Sequence, residues 1–167
     1  MRDELTKVDI DKINEEINYR KYELAPKLRE EMSEARAQGD LSENFEYKTA
    51  KRALNRNYSR IHYLERLRDT AVIVETNPDK NVIGLFDRVT LYLEEDEEEL
   101  EIELVTTLRN NIDRMAISKE SPIGKAVFGK RVGDRVYVTL DNGSGYYCVV
   151  RSITKGEDDT SLPISSF

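Results

Sequence analysis

The sequence has no tryptophan, one histidine, one cysteine and no apolar run near the roughly 20 residues that span a bilayer. Each shortage closes off a class of function. Cys148, alone, forms no internal disulfide, which fits a reducing cytoplasm. His62 and Cys148 lie far apart in the chain, so neither a zinc cluster nor a histidine-assisted nucleophile is visible. Glycine-rich phosphate loops and dinucleotide fingerprints are missing too. Met1-Arg2-Asp3-Glu4 runs straight into polar sequence, so no signal peptide and no membrane role are expected. Nor is there a basic excess. The net charge of -7 argues against a general nucleic-acid coat. The acidity is uneven: through Asn77 there are 15 Lys+Arg against 16 Asp+Glu, and beyond it 11 against 17. Any nucleic-acid contact is therefore expected to be local and in the first half.

What is abundant is charge, 35% of residues, in patterned segments. After a short lead-in over residues 3–8, Ile10, Ile13, Ile17, Leu24, Leu28, Met32 and Ala35 recur every three or four positions, a helical stripe with Thr6 or Asp9 as N-cap. Pro26 inside it predicts a kink, since the stripe resumes in phase at Leu28. Gly39 suits the position beyond the helix end. A second stripe, Phe45, Ala50, Leu54, Tyr58, Ile61, Leu64, Leu67 and Ala71, predicts another helix starting near Ser42 or Glu43, with Phe45 in the core. Two helices of about thirty residues joined so briefly must run antiparallel, as a rod on the order of 45 Å long. Facing positions then sum to about 83, which predicts pairs Glu34–Lys48, Glu31–Arg52 and Glu23–Arg60.

Thr76-Asn77-Pro78-Asp79 breaks the helical period. The predicted organisation is a coiled-coil hairpin over 1–77 with an acidic tip at 39–43, a β-rich domain over 78–155 and a loose tail over 156–167. Strands are expected at 82–93, 100–108, 114–117, 136–140 and 146–153. A turn is expected at 94–99, and a short helix from Ser121 and Pro122 to Gly129. The fold class is α+β.

Two groups could carry chemistry. Asp40 and Glu43, three apart at a helix start, can converge on a hard cation such as Mg²⁺. The same spacing is a capping-box pattern that merely satisfies free backbone N–H groups, and on spacing alone the box is the commoner use. Lys48, Lys51, Arg52, Arg56 and Arg60 make a basic stripe that could follow phosphates. It could equally pair with glutamates across the hairpin, at about 0–1 kcal/mol each. Tyr47 could be core or could stack on a base. Two exposed carboxylates have no pocket of their own, so an autonomous hydrolase is poorly equipped. They make most sense if another protein supplies the rest of a site.

The segment Glu34-Ala35-Arg36-Ala37-Gln38-Gly39-Asp40-Leu41-Ser42-Glu43-Asn44-Phe45-Glu46-Tyr47 resembles a signature of the bacterial GreA/GreB transcript cleavage factors. Ser121-Pro122-Ile123-Gly124-Lys125-Ala126 with Gly129-Lys130-Arg131-Val132-Gly133-Asp134 is similar to the second signature of that family. The resemblance covers roughly residues 5–153. It implies a coiled coil that enters the secondary channel of bacterial RNA polymerase, and an FKBP-like domain that docks at the channel rim. It implies a non-enzymatic transcription elongation factor, counted among DNA-binding proteins, acting on a nascent RNA 3′ end in the cytoplasm. Asp40 and Glu43 would help hold the second Mg²⁺ of the polymerase active site, with no ion held by the isolated protein, which is expected to be a monomer. Asn44 and Tyr47 would support the tip. Lys48, Lys51, Arg52 and Arg56 would contact RNA or polymerase, and Ser121 and Pro122 would contact polymerase. A channel-binding inhibitor of the same shape is the alternative, and a free-standing Mg²⁺ nuclease a third.

Overall fold

A computed structural model describes residues 2–39, 44–158 and 161–166. The fold is α+β, as the two periodicities predict. The chain divides into two compact units, residues 10–71 and residues 1–9 with 72–167. The first nine residues, expected in the hairpin, thus belong to the β-rich unit, and the helical unit ends at 71, not 77.

The helical unit comprises α1 (Lys7–Tyr19), which begins in the other unit, a π-helical turn (Arg20–Leu24), α2 (Ala25–Ala37) and α3 (Phe45–Thr70). Thr6 and Asp9 share the expected cap: Thr6 Oγ1 accepts from the Asp9 N–H at 3.2 Å, and Asp9 Oδ2 accepts from the Thr6 N–H at 3.0 Å. The simple kink foreseen at Pro26 is a widened turn. Ala25 N–H donates to the Arg20 carbonyl, five residues back, and Pro26 falls in the first turn of α2, where a missing N–H costs little. Eight residues overshoot two α-turns by about 80°. The extra residue in the wide turn absorbs that overshoot, so Ala25 joins Ile13, Ile17 and Ala35 on the buried face. Against them lie Leu54, Ile61, Leu64 and Leu67 of α3. The arms are antiparallel, but the charge pairing differs from a uniform sum of 83. Lys21 pairs with Glu65, and Arg60 with Glu16 rather than Glu23. These long side chains reach along the seam in both directions, so their partners fall on either side of the directly facing position.

In the β-rich unit, β1 (Glu4–Leu5) pairs in parallel with β2 (Val72–Ile73), so the expected lead-in is a strand. Beyond it come β3 (Arg88–Leu93), β4 (Glu98–Val105), β5 (Ala116–Ser118), α4 (Pro122–Val127), β6 (Arg135–Thr139) and β7 (Gly145–Thr154). The sheet order is β5-β4-β3-β7-β6, antiparallel except for β4–β5. Val89, Leu91, Ile102, Leu104, Val138, Cys148 and Val150 alternate inward and pack with Val127 of α4. The close approach of α4 requires glycine: a Cβ on Gly124 would stand 2.2 Å from the Ser118 carbonyl oxygen. The strand expected from Val82 starts only at Arg88. Residues 83–87 instead form a buried loop around Asp87, whose carboxylate takes the Gly84 and Gly156 N–H groups and the Lys155 ammonium.

The tail is not loose where it is described. Leu162 is buried against Leu85, Phe86, Val105 and Ala116, and the Ser165 N–H donates to the Leu108 carbonyl at 2.7 Å. Asp158 joins a buried ion cluster. Arg109, 1% exposed, places Nε 2.7 Å from Asp9 Oδ1 and Nη2 2.9 Å from Asp158. The Nε contact is an ion pair out of line for a hydrogen bond. Thr106 Oγ1 donates to Asp9 at 2.9 Å, and Thr6 Oγ1 to Asp158 at 2.8 Å. A tail with no sequence period is fastened here by charge.

Candidate functional site

One side chain at the end of the hairpin joins the last turn of α2 to the start of α3. At Gln38 α2 has ended, and Gly39 takes φ +142°, a backbone region L side chains rarely adopt. Asn44 is the N-cap of α3. Its Oδ1 accepts from the Tyr47 N–H at 3.0 Å, and its Nδ2 donates to the Ala35 carbonyl at 2.6 Å. A single amide therefore caps one helix and gives a second bond to a carbonyl at the end of the other, which also accepts from the Gln38 N–H at 3.3 Å. The helix start expected at Ser42 or Glu43 is corrected to Phe45. Asp40 and Glu43, the expected metal-holding pair, lie with Leu41 and Ser42 outside the described residues. Phe45, expected in the core, is 78% exposed. As the first residue of α3 it precedes the stretch that packs on α2, and its ring lies 5.7 Å from the Lys48 ammonium. Tyr47 is half-buried.

Of the basic stripe, Lys48, Lys51, Arg52 and Arg56 are all exposed, and Arg60 leaves it. Arg60 is 5% exposed and grips Glu16 with two bonds, Nε to Oε1 at 2.9 Å and Nη2 to Oε2 at 3.2 Å. At 100° per residue, Lys48, Lys51 and Arg52 point away from Ala50 and Ala53. Those two alanines line a groove of about 430 Å³ with Ala35 and Phe45, edged by Glu31, Glu34 and Glu46. One face of this end of the hairpin is cationic, and the other apolar and acidic.

Deeper in the same unit sits a polar lock that the apolar stripes do not reveal. Asn57, 2% exposed, takes both of its bonds from one residue: Arg20 Nη1 donates to its Oδ1 at 3.0 Å, and its Nδ2 donates to the Arg20 carbonyl at 3.0 Å. Arg20 Nε also donates to Glu16 at 2.7 Å. Burial pushes the Glu16 carboxyl up, but hydrogen bonds from Arg60 and then Arg20, with their charges, outweigh it and leave it lowered. A signal existed in the sequence. Asn57 falls between Leu54 and Ile61 at helical spacing, a polar residue in phase with an apolar stripe.

Ser121 caps α4: its Oγ accepts from the Gly124 N–H at 3.1 Å and donates to the Ser118 carbonyl at 2.7 Å. Pro122 opens the helix, and both residues are half-buried. His62 is exposed beside Glu65, and Cys148 is buried, with its thiol pushed up by desolvation and then by Glu94. Among the described residues no three His, Cys, Asp or Glu side chains cluster as metal ligands, and no helix is long and apolar enough to cross a membrane.

Comparison with known proteins accounts for both units. A family model described as "Transcription elongation factor, N-terminal" matches residues 4–73, and one described as "Transcription elongation factor, GreA/GreB, C-term" matches residues 77–155. The transcription elongation factor GreA of Rhizobium leguminosarum bv. viciae is 38% identical over 141 residues, 84% of this chain and 89% of that protein. The GreA of Acholeplasma laidlawii is 34% identical over 135 residues, 81% of this chain and 85% of that one. Among solved structures, GreA factor homolog 1 (Gfh1) of Thermus thermophilus superposes with a TM-score of 0.42 at 27% identity, covering 93% of this chain and all of that one (100%).

Proposed function

The chain belongs to the GreA/GreB family of transcription elongation factors, and from that premise we propose that it inserts Asp40 and Glu43 into the secondary channel of bacterial RNA polymerase and stimulates cleavage of backtracked RNA at its 3′ end. One observation carries the reading: the cap of α3 is Asn44. With the Tyr47 N–H capped by Asn44, that donor needs no oxygen from Asp40 or Glu43, which weakens the capping-box account of their spacing. Two hard carboxylates suit Mg²⁺, which takes one or two of them and fills its octahedron with water and phosphate oxygens. When bound, a second ion supplies an activated water and steadies the leaving oxygen.

The chain's own residues have separate tasks. Asp40 and Glu43 would hold the ion, one or two carboxylates sufficing for Mg²⁺. Asn44 fixes where α3 starts against Ala35, and Tyr47 supports it from the first turn. Lys48, Lys51, Arg52 and Arg56 offer exposed cations to RNA phosphates or polymerase carboxylates. The Ser121-Pro122 turn contacts polymerase. The protein contributes no complete catalytic site, and it works as a cytoplasmic monomer.

The test is a cleavage assay on stalled, backtracked complexes. The wild-type protein shortens the transcript from its 3′ end, and the Asp40→Ala plus Glu43→Ala double variant does not. Equal cleavage by the double variant would remove these residues from the role. Slowed nucleotide addition with no short RNA released would mark an inhibitor, and RNA cleavage by the protein with Mg²⁺ alone would mark a nuclease.

A further inference from the structure

The apolar contacts between the arms of the hairpin are non-directional; the directional ones at its rim, Arg60–Glu16, Lys21–Glu65, Arg29–Tyr58 and Arg68–Asn14, are made by long side chains that can follow a displaced partner. Ile13, Ile17, Ala25 and Ala35 are buried on the first arm and Leu54, Ile61, Leu64 and Leu67 on the second, and aliphatic side chains repeating every three or four residues offer similar burial after a slide of one turn. A slide of one turn moves an arm by about 5.4 Å. Something must select one register. A regular α-helix makes a poor address, because every carbonyl is tied to the N–H four residues on. The first arm has one irregular point, the π-turn at Arg20–Leu24. There the Arg20 carbonyl accepts from Ala25 N–H and, with its second lone pair, from Asn57 Nδ2 at 3.0 Å. The other end of the same amide takes the Arg20 guanidinium at 3.0 Å.

We propose that Asn57 is a positioning residue: by reading the π-turn at Arg20 it fixes the axial register of the two arms, and so where the segment between Gly39 and Asn44 is presented. The functional consequence rests on the cleavage reading above; the register itself does not. A slipped register leaves a nearly fully buried amide without its partners, at about 1–3 kcal/mol for each unsatisfied group. Buried polar residues in apolar helical seams select register and lower stability in doing so. The two effects of removing Asn57 therefore have opposite signs. Apolar replacement holds or raises stability and loosens register. Register matters because a misplacement of about 1 Å near a reacting centre can cost about 100-fold in rate.

The experiment uses the full chain with Asn57→Leu and, should leucine disturb folding, Asn57→Ser, which removes both contacts but stays polar. Three quantities are read: the thermal midpoint, the maximal cleavage rate with its half-saturating protein concentration, and the spin-label distance between Lys27→Cys and Asn55→Cys in a Cys148→Ala background. For Asn57→Leu the midpoint should be unchanged or higher. The maximal rate should fall by about tenfold or more at unchanged half-saturation, and the single narrow distance should gain a second population. A distance distribution identical to wild type in both variants overturns the proposal. So does a maximal rate that falls only in step with lost helicity, which is what a merely structural role would give. A wild-type protein that fails to stimulate cleavage refutes the functional reading instead, and the distance measurement then decides the register on its own.

Discussion

Replacing Arg109 by methionine should be among the most damaging single changes in the β-rich unit. Methionine fills most of the volume but leaves Asp9 and Asp158 facing each other in the interior without their cation. Both carboxylates are nearly inaccessible, with side-chain exposures of 0% and 8% against 1% for Arg109. Breaking a buried ion pair from one side costs about 3–5 kcal/mol, because the charge left behind has lost both water and partner. At about 2–4 °C per kcal/mol for a chain of this size, the melting midpoint should drop by about 6–20 °C. Calorimetry of wild type and variant at neutral pH measures it. A companion variant supplies the internal control. Asp9→Asn alone weakens the cluster, yet in the Arg109→Met background it removes one stranded charge. The double variant should therefore be less destabilised than the two single effects combined, by about 0.5–3 kcal/mol. Additive effects, or an Arg109→Met midpoint within a degree or two of wild type, would refute the view that this cluster fastens the tail and the first residues to the sheet.

Asn44→Ala removes both the cap of α3 and the bond to Ala35. Melting should show a loss of about 1–2 kcal/mol, and cleavage stimulation should fall although neither metal-holding residue is changed. Glu16 gives the helical unit an acid limb. Its folded pKa lies below the ordinary 4.5, so its contribution is complete above that value and is lost as pH falls through the folded pKa. Helicity titrated by circular dichroism should decline there, and Glu16→Gln should flatten that part of the curve. Cys148, buried and with a raised thiol pKa, should resist a thiol reagent in the native protein and react fully on unfolding.

The parts of the fold legible in the sequence are those written in short-range periods. Val89 and Leu91 alternate with Arg88 and Thr90, and the chain is a strand there. Ser121, Pro122 and the glycine at 129 bracket a short helix, and one is present. What escaped depends on contacts across long separations or on a single residue of phase. Nothing local marks Arg109 as the partner of Asp9, one hundred positions away, and Asp158 is held by Arg109 and Thr6, both distant in the chain. Pro26 signals irregularity, yet a kink and a π-turn leave the same apolar letters. They differ in whether Ala25 belongs to the stripe. Phe45 fits the stripe yet stays exposed, because an apolar residue at the first position of a helix need not yet face its neighbour. A stripe is defined by its apolar members, and Asn57 is its polar exception.

The pairing of β1 with β2 has a consequence of its own. Glu4 lies beside Val72 and Leu5 beside Ile73, so the chain leaves for the helical segment and comes back from it along neighbouring parallel strands, about 4.8 Å apart. The helical segment is thus a cassette with two adjoining sockets. The covalent frame of the β-rich unit asks only that whatever departs after Asp9 returns at Val72, beside Glu4. Helical arms of another length, or bearing another set of residues at the turn, would meet that demand equally well.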